Sequence, residues 1–269
     1  MSIRRLVRGT IEWDRLEAVF VELAERYDQS ELRVEFLDAD NWLSTPCVVN
    51  EQWFVKIVTG QNSLVHALFT GARNLGAFSS GTEGFFEHFA DPMEMCEHEL
   101  EATRRMREIG VNVPAPVEAF EVDDMGVLVM EYLPDFRTFD DVDAESVARF
   151  APDVFAALAK MHDNRLAHGD LRGENVLLQD GAVYFIDATS VSEDAIEEAR
   201  SYDLACALAA LEPRIGARAA VAAASEHYPP AQLLGAREFL DFVNIRPDHD
   251  FDAVEVRGEI EKVVDANGE

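Results

Sequence analysis

The sequence has few basic residues. It contains 23 Lys and Arg against 52 Asp and Glu, which gives a formal net charge of −29. The carboxylates run through the whole chain, and a negative field of this strength disfavours nonspecific binding to nucleic acid or to an anionic membrane. Self-repulsion at this charge density needs screening by salt, and the composition is typical of proteins from salt-accumulating halophiles. We therefore predict a halophilic protein, and the alternative is an acidic cytosolic protein without salt adaptation.

Cysteine and long apolar runs are also scarce. The three cysteines, Cys47, Cys96 and Cys206, are isolated and have neither the spacing of metal ligands nor that of a disulfide framework, which fits a reducing compartment. No apolar stretch approaches the length that a membrane span needs, and no long apolar run follows the amino-terminal arginines. We expect a soluble cytoplasmic protein without a membrane partner.

Three polar residues stand among short apolar runs between residues 168 and 187, namely Asp170, Asn175 and Asp187. The pair Asp180-Gly181 separates two of these runs and predicts a tight hairpin, because both turn residues need a positive φ. A hairpin brings Asp187 back beside Asn175, where a carboxylate and an amide oxygen suit a hard cation such as Mg²⁺. Asp170 can then meet a substrate hydroxyl, which completes the minimal apparatus of phosphoryl transfer.

These residues resemble the catalytic and metal-binding loops of the protein-kinase-like superfamily. The motif His168-Gly169-Asp170, followed by the motif Ile186-Asp187-Ala188-Thr189-Ser190, looks most like the corresponding loops of the RIO family of atypical kinases. That resemblance implies a two-lobed α+β fold with a small, mostly antiparallel β lobe, a helical lobe and Mg-ATP bound between them. It also implies His168 as a scaffold that holds the metal loop.

The same resemblance implies a role for each polar residue of the two loops. Asp170 and Arg172 are the predicted catalytic residues: Asp170 orients the acceptor hydroxyl, and Arg172 neutralises charge on the transferring γ-phosphoryl group. Asn175 and Asp187 are the predicted Mg²⁺ ligands. Further along, Asp203 resembles the buried carboxylate that ties down the catalytic loop, although a bare helix N-cap would look the same.

Upstream, Lys56 lies inside a predicted strand, and a lysine buried there needs an anion. Its Val-Lys-Ile setting resembles the kinase strand whose lysine holds the α and β phosphates of ATP. The helix predicted at 93–109 ends at a glycine and offers Glu97, Glu99 and Glu101 as partners for this lysine. The resemblance to helices that precede Gly-Val-x-Val-Pro selects Glu99.

Residues 129–134, Val-Met-Glu-Tyr-Leu-Pro, resemble the kinase hinge. The resemblance implies that Glu131 offers its carbonyl, and Leu133 its carbonyl and N–H, to the adenine edge. An apolar strand that ends at a proline would use the same residues, and the pattern alone leaves both interpretations open.

Two stretches depart from the kinase pattern. The predicted phosphate-covering loop, 38–45, contains no glycine, so that Ser44 and Thr45 replace close backbone approach with hydroxyl donors. The segment 59–90 is longer than a minimal lobe requires, and it suits either a partly mobile insertion at the substrate entrance or a surface excursion. The interval from Asp187 to Asp203 leaves room for only a short activation segment, if any, which argues against control by phosphorylation there.

We predict three divisions: an amino-terminal amphipathic helix within 1–30, a nucleotide-binding lobe at 31–133 and a helical lobe at 134–269 with three helices over 214–265. The predicted function is an Mg-ATP-dependent, RIO-like serine/threonine protein kinase or ATPase. A small-molecule phosphotransferase of the aminoglycoside or choline kinase type is the first alternative, and a low-turnover nucleotide-binding regulatory module is the second. The acceptor, protein or small molecule, stays open.

Overall fold

The computed structural model describes residues 11–37, 44–60, 91–188, 196–246 and 249–267. The chain divides into two compact units. The first contains the described residues up to 60 together with 91–104 and 114–134, and the second contains 105–113 and the described residues from 135 onward. Residues 38–43 of the predicted phosphate loop, 61–90 of the predicted insertion, and Thr189 and Ser190 lie outside the described residues.

An antiparallel sheet forms the first unit, as the sequence predicts. Its strands are β1 (Val34–Phe36), β2 (Thr45–Val49), β3 (Trp53–Val58), β4 (Pro116–Val122) and β5 (Met125–Glu131), in the spatial order β1-β2-β3-β5-β4. Every neighbouring pair in this sheet is antiparallel. The amphipathic helix predicted near the amino terminus is α1 (Trp13–Arg26), and the glutamate-rich helix is α2 (Pro92–Glu108).

Alternate residues of β3 face opposite sides of this sheet, because side chains in a strand alternate with period two. Val55 and Ile57 belong to the core that packs against Leu16, Val19 and Leu23 of α1. A second buried cluster on the other side joins Val58, Leu128 and Met130 to Cys96 and Leu100 of α2. Lys56 has the opposite parity to Val55 and Ile57, and its side chain therefore points toward α2.

A glycine brings α2 close to the sheet. A Cβ at Gly126, in β5, would lie 2.3 Å from the backbone oxygen of Pro92, a distance at which the two elements would have to separate. At its far end the helix stops before Gly110, whose φ of 76° is the left-handed conformation that the sequence predicts for this glycine. Gly126 thus allows α2 to pack close to the sheet, and Gly110 follows the end of the helix that carries Glu99.

The second unit is mainly helical. Its helices are α3 (Ala144–Asp163), α4 (Ile196–Ile215), α5 (Ala217–Ser225), α6 (Pro230–Arg237), α7 (Leu240–Asn244) and α8 (Ala253–Asn267). A small sheet of β6 (Arg137–Thr138), β7 (Val176–Gln179) and β8 (Ala182–Phe185) packs with them in the order β6-β7-β8. The prediction of three helices over 214–265 was wrong, since the described residues after α4 form four: Pro229 and Pro230 start one of them, and α7 is too short to show a helical period.

Within the described ranges, no helix is both long enough and apolar enough to cross a membrane.

Candidate active site

Lys56 and Glu99 form the ion pair that the sequence predicts. Lys56 Nζ lies 2.6 Å from Glu99 Oε1, and the lysine is only 4% exposed. The strand places Lys56 on the α2 face of the sheet, and Thr103, one helical turn after Glu99, donates its hydroxyl to the Glu99 carbonyl at 2.8 Å. The pair meets the requirement that a buried ammonium have an anionic partner.

Glu131 and Leu133 lie where β5 ends. The backbone N–H of Glu131 donates to the carbonyl of Ala115 at 2.8 Å, and its carboxylate accepts the N–H of Ala115 at 3.0 Å. The next residue, Tyr132, donates its N–H to Gln52 at 2.9 Å, and Leu133 is buried. These contacts fix Glu131 beside Ala115, and the hinge role of Glu131 and Leu133 stays a prediction.

Of the two hydroxyl donors predicted for the phosphate loop, Ser44 is buried and Thr45 is the first residue of β2. The Ser44 Oγ has no hydrogen-bond partner among the described residues. Such a hydroxyl retains its capacity to bind an incoming acceptor oxygen.

The predicted hairpin forms, with Asp180 and Gly181 as its turn. Their φ angles of 50° and 76° match the left-handed pair that an Asp-Gly turn requires. The two strands pair from Val176 opposite Phe185 to Gln179 opposite Ala182. Beyond the last pair, the N–H of Ile186 donates to the Asn175 carbonyl at 3.1 Å. The residue that precedes Asp187 is thereby held against Asn175, as the sequence predicts.

The side chains of Asn175 and Asp187 fit a hard cation. Asn175 donates its Nδ2 to the carbonyl of Asp170 at 2.7 Å, which leaves its Oδ1 as an oxygen ligand. Asp187 is partly exposed and has a φ of 60°, a left-handed conformation that aspartate adopts more readily than most residues. Among the described residues no group of three His, Cys, Asp or Glu could hold a metal by itself. A cation here would need further oxygens, as Mg²⁺ bound to a nucleotide usually has.

Asp203 holds the backbone of the loop that carries Asp170. It is fully buried, and its two carboxylate oxygens accept the backbone N–H groups of His168 at 2.5 Å and Gly169 at 2.8 Å. His168, also fully buried, places its Nε2 3.0 Å from the carbonyl of Ile186. Burial lowers the pKa of His168, although Asp203 and Asp170 oppose that shift. The His168 ring, which donates from Nε2 to the Ile186 carbonyl, therefore links the loop that carries Asp170 to the segment that carries Asp187.

Arg172 is already engaged by carboxylates. Its Nη2 lies 3.3 Å from Asp170 Oδ2, and its Nη1 contacts Glu174. Burial raises the pKa of Glu174, and the positive charge of Arg172 opposes that rise. The sequence places Arg172 near the reacting centre but does not reveal these two partners.

Sequence reasoning missed Arg246 and Tyr202. Arg246 Nη2 lies 2.9 Å from Asp170 Oδ1, and Arg246 Nη1 donates to the hydroxyl of Tyr202. No motif surrounds Arg246, which is distant in sequence from Asp170. A single sequence contains no signal that could have identified Arg246 as a partner of Asp170.

The fold and these contacts are those of the protein-kinase-like superfamily. The RIO domain family model matches residues 92–206. The KEOPS complex subunit Bud32 of Pyrococcus abyssi (strain GE5 / Orsay) is 35% identical over 115 residues, which are 41% of this chain and 51% of that protein. The chain thus matches about half the length of this curated relative.

The architecture recurs in a crystal structure assigned to a fructosamine-3-kinase of Haemophilus somnus 129PT. The similarity has a TM-score of 0.50 at 12% identity and covers 93% of this chain and 97% of that one. At this identity it shows a shared fold, an antiparallel sheet unit with a helical unit, and says nothing of the substrate.

Proposed function

We propose that this protein is an ATP-dependent phosphotransferase of the RIO type. The observation that carries the proposal is the hydrogen-bonded frame around Asp170, in which Asn175 bonds the Asp170 carbonyl at 2.7 Å and Ile186 bonds the Asn175 carbonyl at 3.1 Å. It holds a base and two candidate metal ligands in one short segment, the arrangement that phosphoryl transfer requires. The match of residues 92–206 to the RIO domain family model supports the same proposal.

In the first unit, Lys56 binds the α and β phosphates of ATP through the ammonium that Glu99 orients at 2.6 Å. Glu131 and Leu133 offer backbone groups to the adenine edge. A buried lysine suits this role because the low local dielectric strengthens its attraction to phosphate oxygens.

In the second unit, Asp170 orients the attacking hydroxyl or water and accepts its proton. The attacking oxygen forms a bond to the γ-phosphorus, while the bond from that phosphorus to its bridging oxygen breaks and the electron pair leaves with ADP. Asn175 and Asp187 would hold Mg²⁺, which when bound neutralises charge on the phosphate oxygens. Arg172 offsets charge at the same centre after release from Asp170 or Glu174.

The acceptor divides the proposal into two branches, a RIO-like ATPase and a serine/threonine kinase. In the ATPase branch a carboxylate oxygen of Asp187 attacks the γ-phosphorus, ADP leaves, and water later hydrolyses the aspartyl phosphate with Asp170 as base. In the kinase branch the acceptor is a serine or threonine hydroxyl. An aspartyl phosphate is cleaved by hydroxylamine and a phosphoserine is not, so the two products can be told apart.

The test uses γ-labelled ATP with Mg²⁺, the full chain and its Asp170→Asn, Asp187→Asn and Asp241→Asn variants. Asp241 is an exposed aspartate of α7 paired with Arg257 and serves as the control. We expect a hydroxylamine-sensitive adduct that is lost in Asp187→Asn and accumulates in Asp170→Asn. A hydroxylamine-stable label on serine or threonine would replace the ATPase branch by the kinase branch. Wild-type chain that neither hydrolyses ATP nor transfers its phosphate would refute the proposed function.

A protein partner is a further part of the proposal. The P. abyssi relative is a subunit of the KEOPS complex, and we propose that this chain joins an assembly of that kind. Size-exclusion chromatography with light-scattering detection, on the purified chain mixed with the other subunits of such a complex, tests this proposal. A peak at the summed mass is expected, and separate elution of all components at micromolar concentration would contradict it.

A further inference from the structure

The geometry points to Arg246 as a positioning residue that orients the carboxylate of Asp170 through its Oδ1 atom. This inference rests on the proposed function, because the carboxylate it orients is the proposed proton acceptor.

Arg246 follows α7 and is only 8% exposed. Its backbone N–H donates to the carbonyl of Val243 at 3.0 Å. This bond to the end of α7 fixes the position of the Arg246 backbone, from which the side chain extends. The guanidinium then spans two partners: Nη2 donates to Asp170 Oδ1 at 2.9 Å, and Nη1 donates to the hydroxyl of Tyr202. A planar guanidinium that binds at two points has a defined orientation, which an ammonium could not provide.

Tyr202 is itself immobilised. It is fully buried, and its ring packs 6.1 Å from the ring of Phe239 and 5.8 Å from that of Phe242, between centroids. Both phenylalanines belong to the segment that leads into Arg246. The same short stretch of chain therefore supplies the arginine and clamps the tyrosine that supports it.

Tyr202 and Asp203 are consecutive residues of α4. Asp203 holds the backbone of the catalytic loop through the N–H groups of His168 and Gly169. Tyr202, acting through Arg246, holds the side chain of the next loop residue, Asp170. One turn of one helix thus restrains both the path of the loop and the rotation of its carboxylate.

The two oxygens of Asp170 are in different situations. Oδ1 faces Arg246, whose side chain is 7% exposed, whereas Oδ2 lies 3.3 Å from Arg172, whose side chain is 25% exposed. A buried hydrogen bond from a charged donor is strong and is not easily replaced by a bond to another group. A longer contact to a more exposed side chain is weaker and is replaced more easily. Arg246 thereby presents Oδ2 to the acceptor, and the transferred proton goes to that oxygen.

The experiment measures kcat and KM for Mg-ATP, together with binding of a fluorescent ATP analogue, in Arg246→Met, Arg246→Lys and Tyr202→Phe. Arg257→Met, which removes a partly exposed arginine of α8 paired with Asp241, is the control. We expect kcat to fall about tenfold to a hundredfold in Arg246→Met, since a buried charge-assisted hydrogen bond is lost. KM and analogue binding should stay near wild type. Arg246→Lys should recover part of kcat, and Tyr202→Phe should lose less than Arg246→Met.

A double-mutant cycle separates positioning from folding. If Arg246 acts through Asp170, adding Arg246→Met to Asp170→Asn should change kcat by less than about twofold, because the carboxylate it orients is already gone. Multiplicative losses in the cycle, or wild-type kcat in a folded Arg246→Met, would overturn the positioning role while wild-type turnover still supports the proposed function. An inactive wild type would remove both.

Discussion

The side-chain amide of Asn175 donates a 2.7 Å hydrogen bond to the backbone carbonyl of Asp170. Both residues are buried, at 2% and 8% exposure. The bond couples a proposed metal ligand to the proposed catalytic residue, so that a change in one alters the placement of the other.

Asn175→Asp separates these two functions. The new carboxylate keeps an oxygen for Mg²⁺ but cannot donate to the Asp170 carbonyl, which is left without this partner. We expect the free energy of unfolding to fall by about 1–3 kcal/mol, with Mg²⁺-dependent turnover reduced but detectable. Urea unfolding and a Mg²⁺ titration of ATP turnover measure the two effects.

Asn164→Asp is the matched control, because Asn164 is an exposed C-cap residue that bonds the Lys160 carbonyl at 2.8 Å. Its stability should stay within about 0.5 kcal/mol of wild type, as for an ordinary surface substitution. Equal stability of the Asn175 and Asn164 variants would mean that the Asn175 bond contributes nothing.

Lys56→Met and Glu99→Gln test the buried ion pair. Each should reduce ATP turnover by about a hundredfold to a thousandfold. Lys56→Met removes the ammonium that binds the phosphates, and Glu99→Gln removes the carboxylate that orients this ammonium. The double variant should be no worse than Lys56→Met alone, since both substitutions remove one contact. Steady-state kinetics on folded protein measure this.

Lys262→Met, on an exposed lysine that pairs with Glu259 on the surface of α8, should leave turnover unchanged. Near-wild-type turnover in folded Lys56→Met would remove Lys56 from the site.

His168 should make the protein sensitive to mild acid. Burial lowers its pKa below the value of 6.5 that it has when unfolded, so that the folded state binds a proton less readily than the unfolded state. The stability that this difference contributes is present above that value and is lost as the pH falls through the folded pKa. The slope can reach about 1.4 kcal/mol per pH unit for one proton.

The measurement is urea unfolding from about pH 7 to about pH 5, a window in which histidines titrate. His168→Gln should flatten the pH dependence, although its stability at neutral pH should be lower. His227→Gln, at an exposed position of the second unit, is the control and should retain the wild-type slope. A wild-type slope in His168→Gln would assign the acid sensitivity to other groups.

Salt should stabilise the protein. With a formal charge of −29, self-repulsion weakens the folded state until counterions screen it, and we expect Tm to rise from dilute buffer to molar KCl. Sucrose at matched osmolality is the control, because it stabilises by exclusion without screening charge. A flat or falling Tm in KCl would contradict the halophile prediction.

Several features of the site followed from sequence because they depend on local rules. Asp180-Gly181 predicted the hairpin, since few other dipeptides accept two positive φ angles. The apolar neighbours Val55 and Ile57 predicted that Lys56 lies within a buried strand, and the resemblance selected Glu99 from three glutamates. The number of helices after α4 was wrong, because short helices in an alanine-rich segment lack a clear apolar period.

The sequence by itself determined the hairpin that brings Ile186 against Asn175 and the strand that contains Lys56, because turn chemistry and strand patterns act over short distances, while the resemblance to kinases supplied the choice of Glu99. Only the tertiary structure decided what holds Asp170 in place. Arg246 lies 76 positions away, and Arg172 turns toward Glu174 as well as Asp170. Contacts of this kind depend on how helices pack and which charges become buried together, and no local pattern in one sequence records that.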